Sequence, residues 1–406
     1  MSDLAERIPR IISVDDHVVE PPDLWSSRLP ERYRERGPRI VRERGGLLGG
    51  EGGAWQASED GTWADIWHYD GLVKPVARMS AAVGLGELCW GTVTFDEMRP
   101  GAWQQHARLS DMDENHVEAS VCFPNTLPRF CGQTFAEQQD KALALLCVKA
   151  YNDWIIDEWC AGDGRGRLIP LTILPLWDVT LAVTELERCA ANGSHAVTFP
   201  ENPYALGLPS LYTGSWDPLF RACVATDTVL CSHIGSSSRM PQTTPDAPFI
   251  VSSTLAFQNT MHSVLDFVFS GTLSRSPELR VAYAEGQVGW MPYLIDRADA
   301  LWKQRTDNSF GTNGIHLPEP PSAYVRRQIF GCIFDDAPGL EQRHRIGMSN
   351  ICFEVDYPHA DGTFPYTEKV ATALCSEAGL DEAETYALLR GNAINLFGLH
   401  RFGIDR

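Results

Sequence analysis

The sequence has few basic residues for its length and lacks any long apolar run. Its 406 residues include 34 lysines and arginines against 53 aspartates and glutamates, a formal net charge of −19. Such an acidic surface excludes nucleic acid and anionic membrane as the main partners, because both attract basic patches, and it still permits a small-molecule substrate. No run is long enough to cross a bilayer, and the segment MSDLAERIPR lacks the apolar core of a signal peptide.

Paired cysteines are also missing. The 11 cysteines form no CxxC pair, and several, such as Cys122 and Cys352, stand in apolar runs. We therefore expect buried, reduced thiols in a cytoplasmic protein. The sequence shows no serine-hydrolase elbow and no phosphate-binding glycine loop. It also shows no dinucleotide fingerprint, because Gly84 and Gly86 lack the third glycine and the strand before them.

Short apolar segments alternate with longer amphipathic ones through most of the chain. Apolar strands separated by helices indicate a parallel sheet that is buried on both faces. Eight such units favour an α/β fold of the (β/α)8 TIM-barrel type, with a doubly wound sheet as the alternative. We expect a single domain over residues 1–406. The predicted strands are 11–14, 119–123, 168–174, 196–199, 228–232, 280–284, 328–334 and 351–355, and the clearest predicted helices are 136–159, 179–191, 216–226, 290–303 and 367–378.

A long stretch, about 36–103, separates the first predicted strand from the second. It contains the glycine-rich segment GGLLGGEGG and five tryptophans, too many aromatic residues for simple disorder. We expect an irregular insertion that serves as a lid or an oligomer contact. Its tryptophans would form an apolar pocket wall for an aromatic or similarly flat substrate, or else would pack against the barrel. A second loop-rich insertion is expected at 306–322.

Ligand-type side chains stand where predicted strands end. The first strand runs into Asp15 and His17, which point to the same side of an extended segment while Asp16 points away. The fifth predicted strand ends in His233 and the sixth in Glu285. The eighth ends in Asp356, with His359 shortly after. Because the active sites of such barrels lie at the carboxyl ends of the strands, these residues are expected to converge.

Nitrogen and carboxylate ligands of this kind suit one zinc or similar divalent ion that keeps a position open for water or substrate. Asp15, His17 and His233 supply the ligands, and Asp356 either joins them or acts as a general base. Each residue also has a structural interpretation, such as a core histidine at position 233 or a turn cap at Asp356. The coincidence of four strand ends favours the metal site.

Several motifs resemble the amidohydrolase superfamily, specifically the branch called amidohydrolase 2. This branch contains aminocarboxymuconate semialdehyde decarboxylase, resorcylate-type decarboxylases, and some C–C bond hydrolases and lactonases. The resemblance covers nearly the whole chain and implies the barrel fold. It rests on DDHVVEPPDLW, RLSDMDENHVEASVCFP, AVTFPENPYALGLPSLYTGSWDPLF, SHIGSSS, LRVAYAEGQVGWMPYLIDRAD, FEVDYPHADGTFP and LLRGNAINLFGL.

The resemblance implies a role for each of these residues. The family's first-strand ligand pair falls on Asp15 and His17, and its strand-five ligand falls on His233. The strand-eight aspartate, which binds metal and handles the proton, falls on Asp356. The decarboxylases usually carry a catalytic histidine at the end of strand six, where this chain has Glu285. The lysine that binuclear members carry on strand four has no match in AVTFPEN, which implies one metal ion.

Three functions remain open. The first is a mononuclear metal-dependent hydrolase, in which Asp356 is the general base and Glu285 or His359 orients the electrophile. The second is a metal-dependent, non-oxidative decarboxylase of an aromatic or enoic acid. The third is a non-catalytic binding barrel. Glu20 and Ser236 are further candidates for substrate binding. Zinc is the expected metal, with manganese or iron as alternatives. We also expect a homodimer or a higher homo-oligomer.

Overall fold

Eight parallel strands form the framework of the molecule, and four antiparallel strands form a separate sheet. The computed structural model describes residues 8–48, 53–86, 90–304 and 317–405, and predictions on other residues, including the segment before residue 8, Cys89, and most of the 306–322 insertion, lie outside the described residues. The strands are β1 (Ile11–Val18), β2 (Arg39–Leu47), β3 (Trp55–Ala57), β4 (Thr62–Tyr69), β5 (Leu72–Pro75), β6 (Val117–Pro124), β7 (Leu168–Pro170), β8 (Ala196–Thr198), β9 (Val229–His233), β10 (Val281–Ala284), β11 (Ile329–Ile333) and β12 (Ile351–Phe353).

The parallel strands form two sheets whose edges approach each other. One sheet has the order β1-β6-β7 and the other the order β12-β11-β10-β9-β8. An isolated parallel bridge, Thr172 to Val197, joins the β7 side to β8. On the opposite side, the Asp356 amide donates to the Asp15 carbonyl at 2.9 Å, which links the segment after β12 to β1. All eight predicted strands are therefore confirmed, although β7 is shorter than expected.

Side chains of the parallel strands alternate between two apolar clusters. In β9, Val229 and Cys231 belong to an inner cluster formed by residues of the parallel strands and closed below by the C-terminal helix. Leu230 belongs to the outer cluster, which the surrounding helices share. This period of two explains why the strand sequences are apolar throughout, since both of their faces are buried.

Helices follow most of the parallel strands. Asp178 caps the amino end of its helix by accepting the amides of Thr180 and Leu181, and that helix has the predicted bounds. The predicted helix 136–159 is instead divided, because Asp140 caps a new start. The helices are α1 (Leu24–Arg28), α2 (Gln105–Glu114), α3 (Gln133–Glu137), α4 (Lys141–Trp154), α5 (Val179–Ala191), α6 (Asp217–Ala225), α7 (Phe249–Thr254), α8 (Gln258–Phe269), α9 (Thr272–Arg275), α10 (Met291–Gln304), α11 (Pro321–Gln328), α12 (Ala337–Glu341), α13 (Arg343–Ile346), α14 (Thr367–Glu377), α15 (Glu382–Tyr386) and α16 (Asn392–Phe397).

The prediction of an irregular insertion after the first strand is wrong for the segment 39–75. This segment folds as an antiparallel sheet with the order β3-β2-β4-β5. Gly45, the first glycine of the run that suggested a loop, instead permits close strand contact, since a Cβ atom on it would lie 2.2 Å from the carbonyl oxygen of Gln56 in β3. Trp67 of β4 anchors the sheet against Trp25, with ring centroids 5.2 Å apart.

The ten described cysteines are buried and free of disulfide bonds, as expected. Within the described ranges, none of the helices combines the length and apolar character that a membrane span requires.

Candidate metal centre

A β-bulge in β1 turns two ligand-type side chains toward the carboxyl ends of the parallel strands. The pairing of β1 with β6 shifts register between Ser13 and Asp16. Asp15 and His17 face the same point, as predicted, with 3.5 Å between Asp15 Oδ1 and His17 Nε2. Asp16 faces away and accepts hydrogen bonds from Ser13 Oγ, Ser120 Oγ and the Tyr357 amide. The bulge therefore separates a structural carboxylate from one that faces the site.

Two imidazoles meet at the centre of the site. His17 Nε2 and His233 Nε2 lie 3.0 Å apart. Their Nδ1 atoms are 3.1 Å from the Pro124 carbonyl and 2.7 Å from the Ile234 carbonyl, respectively. Because a carbonyl only accepts, each Nδ1 carries the proton in the neutral ring, and each Nε2 then presents a lone pair. Two lone pairs at this separation repel unless a proton or a cation lies with them, and carbonyl-oriented rings are typical of metal-ligating histidines.

Two buried carboxylates complete this group. Asp15 Oδ2 lies 3.3 Å from His233 Nε2, and Asp356 Oδ1 lies 3.4 Å from His17 Nε2. Both aspartates are fully buried, and none of their four carboxylate oxygens accepts a hydrogen bond from the described residues. Unsatisfied buried carboxylates are costly, and a cation is the partner that would satisfy them together with the two histidines. The donor set therefore fits a divalent metal ion.

Glu285 and His359 adjoin the same group. Glu285 Oε1 lies 3.7 Å from His233 Nε2, and His359 Nδ1 lies 2.9 Å from Asp356 Oδ1. The His359 ring also stacks on His17, with centroids 3.8 Å apart. The ligand atoms form two overlapping groups, and within each group they lie within 4.8 Å of one another. The first group is Asp15, His17, His233 and Glu285, and the second is His17, Glu285, Asp356 and His359. The structure thus brings together all six residues predicted at the strand ends.

Backbone strain accompanies the two acidic residues that follow β10 and β12. Glu285 has φ = 53° and Asp356 has φ = 57°, in the left-handed region that favours glycine. Non-glycine residues there cost roughly 1–3 kcal/mol and cluster at functional sites. Glu285 follows β10 directly, and Asp356 follows closely after β12. The carboxylates of both residues point into the cluster of ligand atoms.

The site carries more negative charge than its own side chains can balance. Burial, followed by the negative charge of Asp356, raises the pKa of Glu285 well above its usual value. Burial likewise raises the pKa of Asp356, which also lies near Asp361 and Asp15. Burial would lower the pKa of His233, but the charges of Glu285 and Asp15 outweigh it and raise that pKa to about 9. A bound divalent cation would oppose each of these upward shifts.

A cavity of about 270 Å³ opens onto the ligand group. His233, Glu285 and His359 reach its inner end. Its wall is largely apolar and includes Met79, Phe130, Met240 and Phe249. An apolar cavity with a few convergent polar groups is the usual form of a small-molecule site.

A second cavity, of about 260 Å³, lies beside the first and shares Ser80, Phe130 and Gly235 with it. Two cationic residues, Lys74 and Arg129, line this second cavity. Burial, with the nearby charge of Arg129, lowers the pKa of Lys74 to about 8. The two cavities therefore offer an acidic ligand group and a basic wall on either side of Phe130.

The two predicted substrate-binding residues lie in structural hydrogen-bond networks. The Glu20 carboxylate accepts the backbone amides of Asn125, Thr126 and Leu127, and so holds the loop after β6. Ser236 Oγ accepts the Glu201 amide at 3.0 Å. Both residues are fully buried and belong to neither metal-ligand group. Their contact with substrate remains a prediction, and their hydrogen bonds favour a role in loop placement.

Two buried acids near the site were missed in the sequence. Glu354 stands two residues before Asp356, and its carboxylate accepts the Glu285 amide. Glu201 follows β8 and accepts a hydrogen bond from Thr260 Oγ1 at 2.8 Å, while its Oε2 has no partner in the part of the chain that the structure describes. A search for ligand-type residues at every strand end would have found both, since the same criterion selected Asp15, His233 and Asp356.

Known proteins with decarboxylase and amidohydrolase names are similar to this chain. The 2-amino-3-carboxymuconate-6-semialdehyde decarboxylase of Dictyostelium discoideum is 26% identical over 313 residues, which are 75% of this chain and 79% of that protein. An amidohydrolase of Mycobacterium avium subsp. paratuberculosis has a similar solved structure, with a TM-score of 0.68 and 21% identity over 96% of this chain and 99% of that chain.

Two solved decarboxylase structures share the fold. The 2,6-dihydroxybenzoate decarboxylase of Rhizobium gives a TM-score of 0.61 at 17% identity, covering 97% of this chain and 100% of that chain. The 5-carboxyvanillate decarboxylase of Novosphingobium aromaticivorans, complexed with manganese and 4-hydroxy-3-methoxy-5-nitrobenzoic acid, gives 0.57 at 18% identity, covering 72% and 79%.

The amidohydrolase family matches residues 53–399 of this sequence. The match begins after β1, so the placement of Asp15 and His17 rests on the geometry described above. It includes His233, Glu285, Asp356 and His359. Because the match spans most of the chain, this protein belongs to the amidohydrolase family.

Proposed function

We propose that this chain is a divalent-metal-dependent decarboxylase that acts on an aromatic or enoic carboxylic acid. The observation that carries the proposal is the buried group of two imidazoles and two carboxylates beside a cavity. No described residue donates a hydrogen bond to the carboxylate oxygens of this group. The names of the relative and of two similar structures favour decarboxylation over the hydrolase hypothesis. The family alone is compatible with either reaction.

The residues that would hold the metal are Asp15, His17, His233 and Asp356. The ligand types favour zinc, and the manganese described with the 5-carboxyvanillate decarboxylase makes manganese an equally good first choice. When bound, the cation supplies a Lewis acid that draws electron density from the substrate carboxylate and from an adjacent oxygen. The absence of a lysine at the end of β8 supports one ion.

The cavities would orient the substrate by its shape and charge. Phe130, Met79 and Phe249 offer an apolar wall for a flat ring or a conjugated chain. Lys74 and Arg129 lie beyond Phe130 and suit a further anionic or hydrogen-bond-accepting substituent. Glu285, at the inner end, would accept a hydrogen bond from a hydroxyl or amino group next to the reacting carbon.

Decarboxylation breaks one carbon–carbon bond and needs one proton. The electron pair of the broken bond stays on the ring or chain carbon, carbon dioxide leaves, and the carbon takes a proton from the carboxyl group of Asp356. His359 Nδ1 lies 2.9 Å from Asp356 Oδ1, and His359 also lines the open cavity. A turn of the His359 ring that aligns its N–H with Asp356 would let it return a proton from solvent. No oxidant or reductant takes part.

The framework proposed for this chemistry is a closed (β/α)8 barrel. The bridge from Thr172 to Val197 and the hydrogen bond from Asp356 to Asp15 support closure of the two parallel sheets into one ring. We also propose that the chain forms a single domain, in which the antiparallel sheet serves as a lid or as an oligomer contact. The protein would be a homo-oligomer in the cytoplasm.

A deuterium experiment tests the proposal. The manganese-loaded protein is incubated in deuterium oxide with a panel of hydroxybenzoic, carboxyphenolic and amino-dienoic acids, and with a parallel panel of lactones and cyclic amides. Decarboxylation predicts release of carbon dioxide and one deuterium at the carbon that lost it. Turnover of lactones or amides without carbon dioxide would instead restore the hydrolase hypothesis.

A further inference from the structure

Glu354 is a fully buried acid whose only side-chain hydrogen bonds within the described ranges involve the backbone of Glu285. Its Oε1 and Oε2 lie 3.2 and 3.0 Å from the Glu285 amide nitrogen. Its exposed fraction is 0%. A buried carboxylate is expensive to retain unless it has a defined partner, and here that partner is one amide next to the site.

The contact spans two strands that are not neighbours. Glu354 follows β12 and Glu285 follows β10, while β11 lies between them in the sheet. The Glu354 amide donates to the Ile333 carbonyl of β11 at 3.0 Å, so its backbone continues the sheet. Glu354 therefore reaches across the carboxyl end of β11.

The amide that Glu354 holds belongs to a strained residue. Glu285 has φ = 53°, and such a conformation persists only where surrounding contacts fix it. Ala284, just before it, is paired with His233 in the sheet. The left-handed turn at Glu285 directs its carboxylate to within 3.7 Å of His233 Nε2.

We propose that Glu354 is a positioning residue: by accepting the Glu285 amide, it fixes the left-handed backbone that directs the Glu285 carboxylate into the metal-ligand group. The inference rests on the proposed function in one respect, since it assigns Glu285 a part in the reaction. Glu354 itself touches none of the reacting atoms. What matters is the reach and the acceptor oxygen of its side chain.

Two conservative variants separate the reach of the side chain from its carboxyl group. Glu354→Gln keeps the length and one acceptor oxygen but replaces the carboxyl group by an amide, whereas Glu354→Asp keeps the carboxyl group but shortens the side chain by one methylene. The positioning role predicts that Gln retains at least half of the wild-type kcat. Asp is expected to lower kcat tenfold or more, with KM changed less than threefold and metal content unchanged.

Two controls exclude a general structural effect. Glu185 is another buried acid, hydrogen-bonded to Asn152 and Arg188 away from the site, and Glu185→Gln is expected to change stability without changing kcat. In a Glu285→Gln background, Glu354→Asp is expected to cause less than a twofold further loss, because its effect acts through Glu285. An additive loss in the double variant would overturn the assignment.

Crystal structures of the metal-loaded variants give a reading that needs no substrate. The left-handed φ at residue 285 is expected in Glu354→Gln and is expected to change in Glu354→Asp. A retained left-handed φ in Glu354→Asp, or equal losses of kcat in both variants, would overturn the positioning role. If the wild-type protein released no carbon dioxide, the proposed function would fail, while the comparison of φ would still decide the role of Glu354.

Discussion

Among single residues, Asp356 has the most direct part in the proposed reaction. Asp356→Asn preserves the size of the side chain and one oxygen but removes the carboxylic acid that would give up the proton. We expect turnover to fall by about 10²- to 10⁴-fold, the usual contribution of a positioned acid or base. Asp113→Asn, at an exposed carboxylate, is the control and should retain wild-type turnover. Turnover above a tenth of wild type in Asp356→Asn would contradict the assigned role.

Glu201 should make stability depend on pH. Burial raises the pKa of this carboxyl group from 4.5 to about 8, although the Thr260 hydrogen bond opposes the shift. Between these values the folded state holds a proton that the unfolded chain has lost. The free energy of unfolding should therefore fall as pH rises from about 5 to 8. Since one pKa unit corresponds to about 1.36 kcal/mol, the fall attributable to Glu201 is on the order of a few kcal/mol.

The variant Glu201→Gln isolates this contribution. Glutamine resembles the neutral acid at every pH, so its unfolding free energy should decline less than that of the wild type across the same range. Urea unfolding of both proteins at pH 5 and pH 8 measures the difference. Parallel declines in the two proteins would show that Glu201 is ionised in the folded state.

The sequence revealed most of the site residues because ligand chemistry and strand ends are both local signals. Asp15 and His17 were predicted to share a side, and they do. The bulge between Ser13 and Asp16, which turns them toward the site, depends on pairing with β6 and leaves no mark in the sequence. The contact from Glu354 to the Glu285 amide was missed for a similar reason, since it joins residues 69 positions apart.

At the scale of elements, Trp67 should determine the stability of the antiparallel sheet. Its ring is fully buried against Trp25, and its indole nitrogen donates to Thr126 Oγ1 at 3.1 Å. Trp67→Ala should lower the free energy of unfolding by about 3–5 kcal/mol, as for other buried aromatic truncations. Chemical denaturation followed by circular dichroism measures the loss.

Trp63, on the same strand, provides the matched control. It is 54% exposed and contacts Arg44 through its ring face. Trp63→Ala should therefore cost less than about 1 kcal/mol. Similar losses for both variants would mean that β4 is not anchored through the Trp67 face.

The elements differ in how well local pattern predicted them. The parallel strands are apolar throughout and were all found, because burial on both faces leaves a clear run of residues. The antiparallel sheet gives no such pattern, because its glycines are typical of loops and favour an irregular insertion. The pairing of Gly45 with Thr62 brings Gly61 against the Gly45 backbone, and this contact explains the need for glycine at position 61. The contact can be seen in the structure but not in the local sequence pattern.

At the scale of the whole molecule, the site joins parts of the chain that are distant in sequence. Asp15 and Asp356 lie near opposite ends of the chain, and a backbone hydrogen bond of 2.9 Å connects them. The α/β class could be predicted because it follows from the repeated order of strand and helix. An oligomeric state depends on surface complementarity between copies, and no local pattern in the sequence encodes it.

Removal of the metal should therefore destabilise the molecule as a whole. An ion that binds only the folded state adds RT ln(1 + [M]/Kd), about 4 kcal/mol at a thousandfold excess over Kd. The ion also offsets the cost of burying Asp15 and Asp356, whose carboxylates receive no hydrogen bond from the described residues. We expect chelation to lower Tm by several degrees and manganese or zinc to restore it, with about one ion per chain by elemental analysis.

The double variant Asp15→Ala/His17→Ala shows whether this shift arises at the proposed centre. Without these ligands, the protein should bind little metal, and chelation should leave its Tm unchanged. His195→Ala removes a half-buried histidine that bonds the Thr226 carbonyl outside the site, and it should keep both the metal and the shift. A wild-type Tm that changes neither on chelation nor on reloading would contradict a metal centre at these residues. A cation that links β1, β9 and the segment after β12 binds only the folded state, and it must therefore stabilise that state.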